Sequence, residues 1–192
     1  MPWSADCFDP LVEDIITRLQ PASMIDIGAG AGKYGAMARR ASPRTWTVAV
    51  EMQADYVEQF SLAELYDEVW VDRAQDVFFE RPDLTTDLVI FGDSIEHMRK
   101  SEGVDLLHYF AYRSRCILCI YPTKYVQYSV QGRAAEAHVS AWGLPDFAWF
   151  QTEHRQHEGM HLSMVTGFLA DPEATLVAEE RAPLGPAAPA LP

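Results

Sequence analysis

Lysine, cysteine and long apolar runs are all scarce in this chain. Only three lysines (Lys33, Lys100, Lys124) occur among 192 residues, and Lys plus Arg total 15 against 28 for Asp plus Glu, a formal net charge of -13 at pH 7. A surface this acidic repels phosphate backbones, and the arginines are scattered, so nucleic acid is not an expected partner and anionic membranes are a poor match. No window approaches the ~20 apolar residues that a membrane-spanning helix needs, and Met1 to Asp9 holds neither Lys nor Arg, unlike a secretory leader. The expectation is a soluble, cytoplasmic protein. The three cysteines, Cys7, Cys116 and Cys119, are too few for a disulfide framework. Cys116 and Cys119 form C-x-x-C inside an apolar run that reads as a strand, where residues three apart face opposite sides, so both are assigned to the core.

What is present is an ordinary apolar fraction, 48% of residues, enough for one domain with a buried core. Asp9 and Pro10 open an amphipathic leading helix over 9–20. Met24–Ile27 is a short strand running into the glycine turn 28–32, and Lys33 to Arg40 follows as helix. Further strands are expected at Thr45–Val50, Glu68–Val71, Asp87–Phe91 and Cys116–Tyr121, with helices over Asp55–Leu65 and Ile95–Tyr112. Strands alternating with helices imply parallel pairing through right-handed crossovers. The fold class is therefore α/β: a Rossmann-like, doubly wound, mostly parallel seven-stranded sheet, closed by an antiparallel hairpin of Thr152–Arg155 and His161–Leu169 around a turn at 156–160. Leu144–Phe150 reads as a short helix. One domain is expected over 1–180, with a cofactor half at 23–95 and a substrate-side half at 96–170, and residues 181–192, rich in Ala and Pro, read as a disordered tail.

In such a sheet, ligands sit beyond the carboxyl ends of the strands, where the strand order reverses. Gly28, Gly30 and Gly32 lie at the first such end, and Glu51 closes the second strand, where a carboxylate can accept both hydroxyls of a ribose. Asp72 closes the third and can accept from an adenine amino group, and Asp93 and Ser94 follow the fourth. Each alone has a plainer reading, a solvated strand end or a helix cap, but their conjunction indicates a nucleoside cofactor. A dinucleotide fingerprint starting at Gly28 would need glycine at position 33, where Lys33 stands. The pattern is instead Asp26-x-Gly28-x-Gly30-x-Gly32.

That pattern resembles the first motif of the class I S-adenosylmethionine-dependent methyltransferases. The runs 25–35, 66–72 and 87–97, Glu102 and Gly103 with Leu106 and Leu107, and 136–142 with Asp146 and Phe147 resemble successive blocks of a bacterial small-molecule branch of that family, spanning about residues 23 to 150. The resemblance implies S-adenosylmethionine as cofactor and S-adenosylhomocysteine as product. It implies a binding set of Asp26, Gly28, Gly30, Gly32, Glu51, Met52, Asp72, Arg73, Asp93 and Ser94, the glycines around the methionine portion and Asp93 and Ser94 bordering the sulfonium. Arg73 is bulkier than the small residues common there, leaving Asp72, Arg73 and Ala74 as alternatives for the base contact.

Transfer of a methyl group mainly requires alignment of the acceptor, with a general base if the acceptor is a hydroxyl or protonated amine. The candidates are His97 and His138, the latter preferred because it ends the irregular segment 123–140; His97 is as readily a packing residue. Tyr121, Lys124, Tyr125, Gln127 and Trp142 form a candidate substrate wall, although plain packing suits Trp142 better. No metal is expected: His154, His157 and His161 straddle a turn, and an ion on Asp93 with His97 or Glu96 is only conceivable. The partner expected is a small metabolite, acted on at oxygen or nitrogen by a monomer or homodimer. The alternative is a cofactor-binding regulatory or partner subunit that no longer methylates, since fold does not guarantee activity.

Overall fold

The computed structural model describes residues 3–123, 125–130 and 132–170; Lys124 and the stretch 181–192 lie outside the described residues. Among the described residues, β1 (Ser23–Ile27), β2 (Trp46–Val50), β3 (Glu68–Trp70), β4 (Thr86–Gly92), β5 (Ser114–Pro122), β6 (Thr152–His157) and β7 (Met160–Thr166) form one sheet in the order β3-β2-β1-β4-β5-β7-β6. The first five strands pair in parallel, and β7 runs antiparallel to both β5 and β6. This is the α/β Rossmann-like architecture expected from the alternation. The order reverses between β1 and β4, which opens a crevice at their carboxyl ends.

The central strands are apolar on both faces because both are covered. On one side Ile25, Ile27, Val48, Val50, Val89, Phe91, Ile117 and Cys119 pack against α5 (Ala74–Phe79) and α6 (Lys100–Ala111). On the other, Met24, Leu88, Ile90, Cys116 and Leu118 meet α1 (Asp9–Leu19) and α2 (Lys33–Ala41). Cys116 and Cys119 thus fall into different clusters, as the two-residue strand period requires.

Three elements differ from expectation. The helix expected over Asp55–Leu65 is two, α3 (Ala54–Gln59) and α4 (Leu62–Leu65), split at Ser61, whose left-handed φ of 50° turns Leu62 and Tyr66 inward against Ala49. The helix expected from Ile95 to Tyr112 breaks after a single 3-10 turn at Ile95–His97; Met98 and Arg99 are extended, and α6 restarts where the Glu102 carboxylate accepts the Arg99 N–H at 3.0 Å. At 144–150 there is one 3-10 turn, Leu144–Phe147. The hairpin turn is tighter than expected, with Glu158 and Gly159 at positive φ between the strands.

Candidate functional site

A cleft of about 190 Å³ opens at the reversal point, and it gathers Gly28, Gly30, Glu51, Met52, Asp72, Arg73, Asp93, Ser94 and His97 from the carboxyl ends of β1, β2, β3 and β4. Gly28 sits at φ +74°, and a Cβ there would lie 2.6 Å from the Ser94 Cβ, so only a bare backbone lets the turn and the β4 end close together. Glu51 is almost fully buried; its Oε2 accepts the Gly30 N–H at 2.9 Å and its Oε1 the Gln53 N–H at 2.8 Å. Burial pushes its carboxyl up, and those two N–H groups oppose the shift. Each oxygen keeps a second lone pair. Asp72 is exposed at the far rim, fixed by the Arg73 N–H at 2.7 Å, while the Arg73 guanidinium bridges to Glu102 at 2.5 Å.

Asp93 has a left-handed φ of 53°, a strained conformation for a residue other than glycine. It is held by the N-terminal segment, whose Ala5 N–H donates to Asp93 Oδ2 at 2.9 Å while the Ser4 hydroxyl donates to the Gly92 carbonyl at 2.8 Å. Lys33 ties that segment down, donating to the carbonyls of Ser4 and Ala5 at 3.1 and 2.7 Å and pairing with Asp9 at 2.6 Å. Burial raises the Asp93 carboxyl, opposed by the Ala5 N–H and by Lys33. Ser94 Oγ is buried without a hydrogen-bond partner among the described residues. The position that rules out a dinucleotide fingerprint therefore serves to hold the rim.

Several lining residues were not nominated from sequence: Ser4, Gln53, Tyr56, Met98, Glu102 and the 3-10 turn Ala134–Glu136. The Tyr56 hydroxyl donates to Glu136 Oε1 at 2.7 Å, and Arg133 stacks on the Tyr56 ring and pairs with Asp55, so the irregular segment is pinned across the cleft onto α3. The length of that segment was its one sequence signal; Ser4 had none.

Other nominated residues stand apart from the cleft. Asp26 is fully buried in β1, where its Oδ2 accepts the Tyr66 hydroxyl at 2.5 Å, and Tyr66 in turn accepts the Gly35 N–H at 3.0 Å. Its part is to lock the glycine turn onto α4. Gly32 is the α2 cap and abuts Leu65 and Leu62. Tyr121 is core, bonded to Ser163 Oγ at 2.9 Å and stacked between Phe147 and His161. Trp142 is buried over Gly103 with Lys100 3.6 Å from its ring centre, so packing accounts for it. Gln127 donates to the Glu136 carbonyl, and the Tyr125 carbonyl meets His138 Nδ1 at 2.9 Å. Lys124 lies outside the described residues.

The two nominated histidines are neighbours, with ring centres 4.8 Å apart. His97 lines the cleft and its Nδ1 lies 3.0 Å from the Ala137 carbonyl; His138 stands behind it, outside the lining. Burial lowers both imidazoles, which favours their neutral forms at neutral pH. Behind them Glu96 is 2% exposed, its carboxyl pushed well up by burial and by Asp93.

The sequence matches no protein-family profile and no curated protein. Solved structures do share its fold. It is similar to the PH0226 protein from Pyrococcus horikoshii OT3 (TM-score 0.63, 16% identity, 84% of this chain and 88% of that one). It is similar to an O-methyltransferase family protein from Burkholderia thailandensis (0.59, 13%, 83% and 56%) and to the N-terminal domain of EvdMO1 with S-adenosylhomocysteine bound (0.59, 11%, 85% and 82%). The chain spans 56% of the Burkholderia protein, little more than half its length. The likeness is one of fold: a Rossmann-like α/β architecture shared with solved methyltransferases, with the cleft at the strand-order reversal.

Proposed function

We propose that the chain is an S-adenosylmethionine-dependent methyltransferase acting on an oxygen or nitrogen of a small molecule. One observation carries the reading: Gly28, Gly30, Glu51, Asp72, Asp93 and Ser94, contributed by four strand ends, converge on one acid-lined cleft. The cleft fits that cofactor chemically. Gly28 and Gly30 present bare backbone to the cleft, Ser94 Oγ is buried with no hydrogen-bond partner among the described residues, and the acids Glu51, Asp72 and Asp93 suit a cation. When bound, S-adenosylmethionine supplies a methyl group activated by its positive sulfonium.

The protein's own residues would bind, orient and screen. Glu51 would take the ribose hydroxyls on its remaining lone pairs, and Asp72 with Arg73 and Ala74 would border the base. The Gly28 turn with Asp93 and Ser94 would flank the reacting end. Ser4 and the turn 134–136 border the cleft and would limit water there. His97, whose burial favours the neutral form, lines the cleft and is the lining base nearest to Ser94 in sequence. The short cover favours a small acceptor over a folded macromolecule.

Calorimetry tests the reading. S-adenosylmethionine and S-adenosylhomocysteine are expected to bind and NAD not to. Glu51→Ala is expected to weaken both by about 2 kcal/mol or more, roughly thirtyfold, since hydrogen bonds to a charged acceptor are at stake. Binding of NAD, or affinity unchanged in Glu51→Ala, would overturn it. A gain of one methyl mass in a metabolite pool, dependent on the protein, would separate an enzyme from a silent cofactor-binding subunit.

A further inference from the structure

Three ligand atoms, one each from Glu96, His97 and His138, lie within 4.8 Å of one another beside the cofactor cleft. Two independent observations say what they await. First, each imidazole has its Nδ1 at a backbone carbonyl, 3.0 Å from Ala137 for His97 and 2.9 Å from Tyr125 for His138. A carbonyl only accepts, so both Nδ1 atoms carry the proton and both Nε2 atoms present lone pairs, the outer-shell arrangement that orients histidine ligands. Second, Glu96 is 2% exposed and its Oε2 has no hydrogen-bond partner among the described residues. Its Oε1 faces His138 Nε2 at 3.9 Å. An unpaired carboxyl so deeply buried costs several kcal/mol unless something compensates it.

The backbone holds this cluster in place. The Val139 and Ser140 N–H groups both donate to the Glu96 carbonyl, at 2.9 and 3.1 Å, so the strand end and the irregular segment are stitched together at the cluster. The break of the expected helix after His97 serves the same end, since Ile95–His97 is a separate turn ahead of α6.

We infer that Glu96, His97 and His138 form a binding site for a divalent first-row transition-metal ion with open coordination positions toward the cofactor cleft. Two imidazole nitrogens and one carboxylate suit such ions rather than magnesium or calcium, which prefer all-oxygen shells. Bonds of about 2.0–2.2 Å require the three groups to draw in slightly from their present spacing. Of the three, His97 lines the cleft, so its side of the ion would be the one an acceptor reaches. The ion's role deepens the methyltransferase reading and rests on it: an acceptor hydroxyl held there would be acidified by the ion, which favours oxygen over nitrogen as the methylated atom. The proton shed by that hydroxyl would pass to solvent water at the cleft mouth, so the two imidazoles would act through the ion and not as proton acceptors.

The test uses cobalt(II) as probe on the full chain, first stripped with a chelator, with visible d–d absorption and calorimetry as readouts and S-adenosylhomocysteine affinity measured in parallel. One cobalt(II) per chain is expected, displaced by zinc(II). Glu96→Gln and His138→Ala are each expected to weaken it by more than about 100-fold, beyond the usual loss from an outer-shell partner. S-adenosylhomocysteine binding certifies that each variant is folded, and if one fails that check the other decides. A chain that binds S-adenosylhomocysteine but takes up no cobalt(II), or uptake unchanged in a folded variant, would overturn the site and leave the imidazoles as bases. Cobalt(II) uptake lost in the variants with no S-adenosylhomocysteine binding by the parent chain would sink the functional reading instead and leave the metal site standing, folding then being read by circular dichroism.

Discussion

Asp26 shows how one residue can be visible in a sequence and still be assigned the wrong neighbours. Its place ahead of the glycines marks it out, but the strand's two-residue period turns it into the protein, where Tyr66 is its hydrogen-bond donor. Burial raises its carboxyl from an ordinary value to about 7, the Tyr66 hydroxyl opposing part of the shift. Between about pH 4 and 7 the folded chain therefore keeps a proton that the unfolded chain releases. The stability that Asp26 contributes is full below the unfolded pKa and is lost as pH rises toward the folded one. Asp26→Asn removes this dependence. The difference between wild-type and variant unfolding free energies is expected to move by on the order of 4 kcal/mol, at roughly 1.4 kcal/mol per pH unit, across pH 4 to 7 and to be flat above. Denaturant titrations at stepped pH check it, and a pH-independent difference would refute it. Tyr66→Phe leaves the Gly35 N–H and the Asp26 carboxyl unsatisfied, and is expected to cost about 2 kcal/mol at neutral pH. No sequence pattern pairs residues 26 and 66; only the fold brings them together.

At the scale of elements, what could be read was what local patterning controls. The strands announce themselves as unbroken apolar runs because both sheet faces are covered, and the carboxyl-end residues Gly28, Glu51, Asp72 and Asp93 follow from counting to the end of each run. The helix breaks at Ser61 and at Met98 carry no Gly or Pro; they arise because Leu62 and Tyr66 must cover Ala49, and because Glu102 caps α6 through Arg99, where no Ser, Thr, Asp or Asn advertises a start. The turn after β1 makes a sharper prediction. Gly28→Ala faces both a positive φ and a contact with Ser94, whereas Gly159→Ala in the hairpin has a similar φ of +82° but nothing within 4 Å among the described residues. Gly159→Ala is expected to cost only the left-handed strain, about 1–2 kcal/mol, with S-adenosylhomocysteine affinity intact. Gly28→Ala should cost more and, by driving Ser94 from the turn, lose at least tenfold in that affinity. Thermal unfolding and calorimetry on the pair decide; equal effects at the two positions would show that backbone strain alone matters.

For the whole molecule, topology and charge act together. The order reversal between β1 and β4 could be anticipated from the alternation of elements, because right-handed crossovers leave few alternatives, but the closure of the cleft by Ser4 and by Ala134–Glu136 could not, since those contacts join residues far apart in sequence through segments without period. Composition, in contrast, was legible at once. A chain of net charge -13 surrounds a cleft whose described lining carries the acids Glu51, Asp72, Asp93 and Glu102 and the arginine Arg73. Such a field draws cations inward and concentrates at a concave site. S-adenosylmethionine carries one more positive charge than its demethylated product, so the field acts differently on the two. Raising ionic strength from about 0.01 to 0.1 M shortens the screening length from about 30 to 10 Å. At pH 8 the association rate of S-adenosylmethionine is expected to fall several-fold over that range, while that of S-adenosylhomocysteine changes by less than about twofold, as read by stopped-flow fluorescence of the chain's tryptophans. An identical salt response for both would mean that the acidic lining does not steer the charged ligand, and that neutral contacts at the glycine turn and Glu51 govern entry.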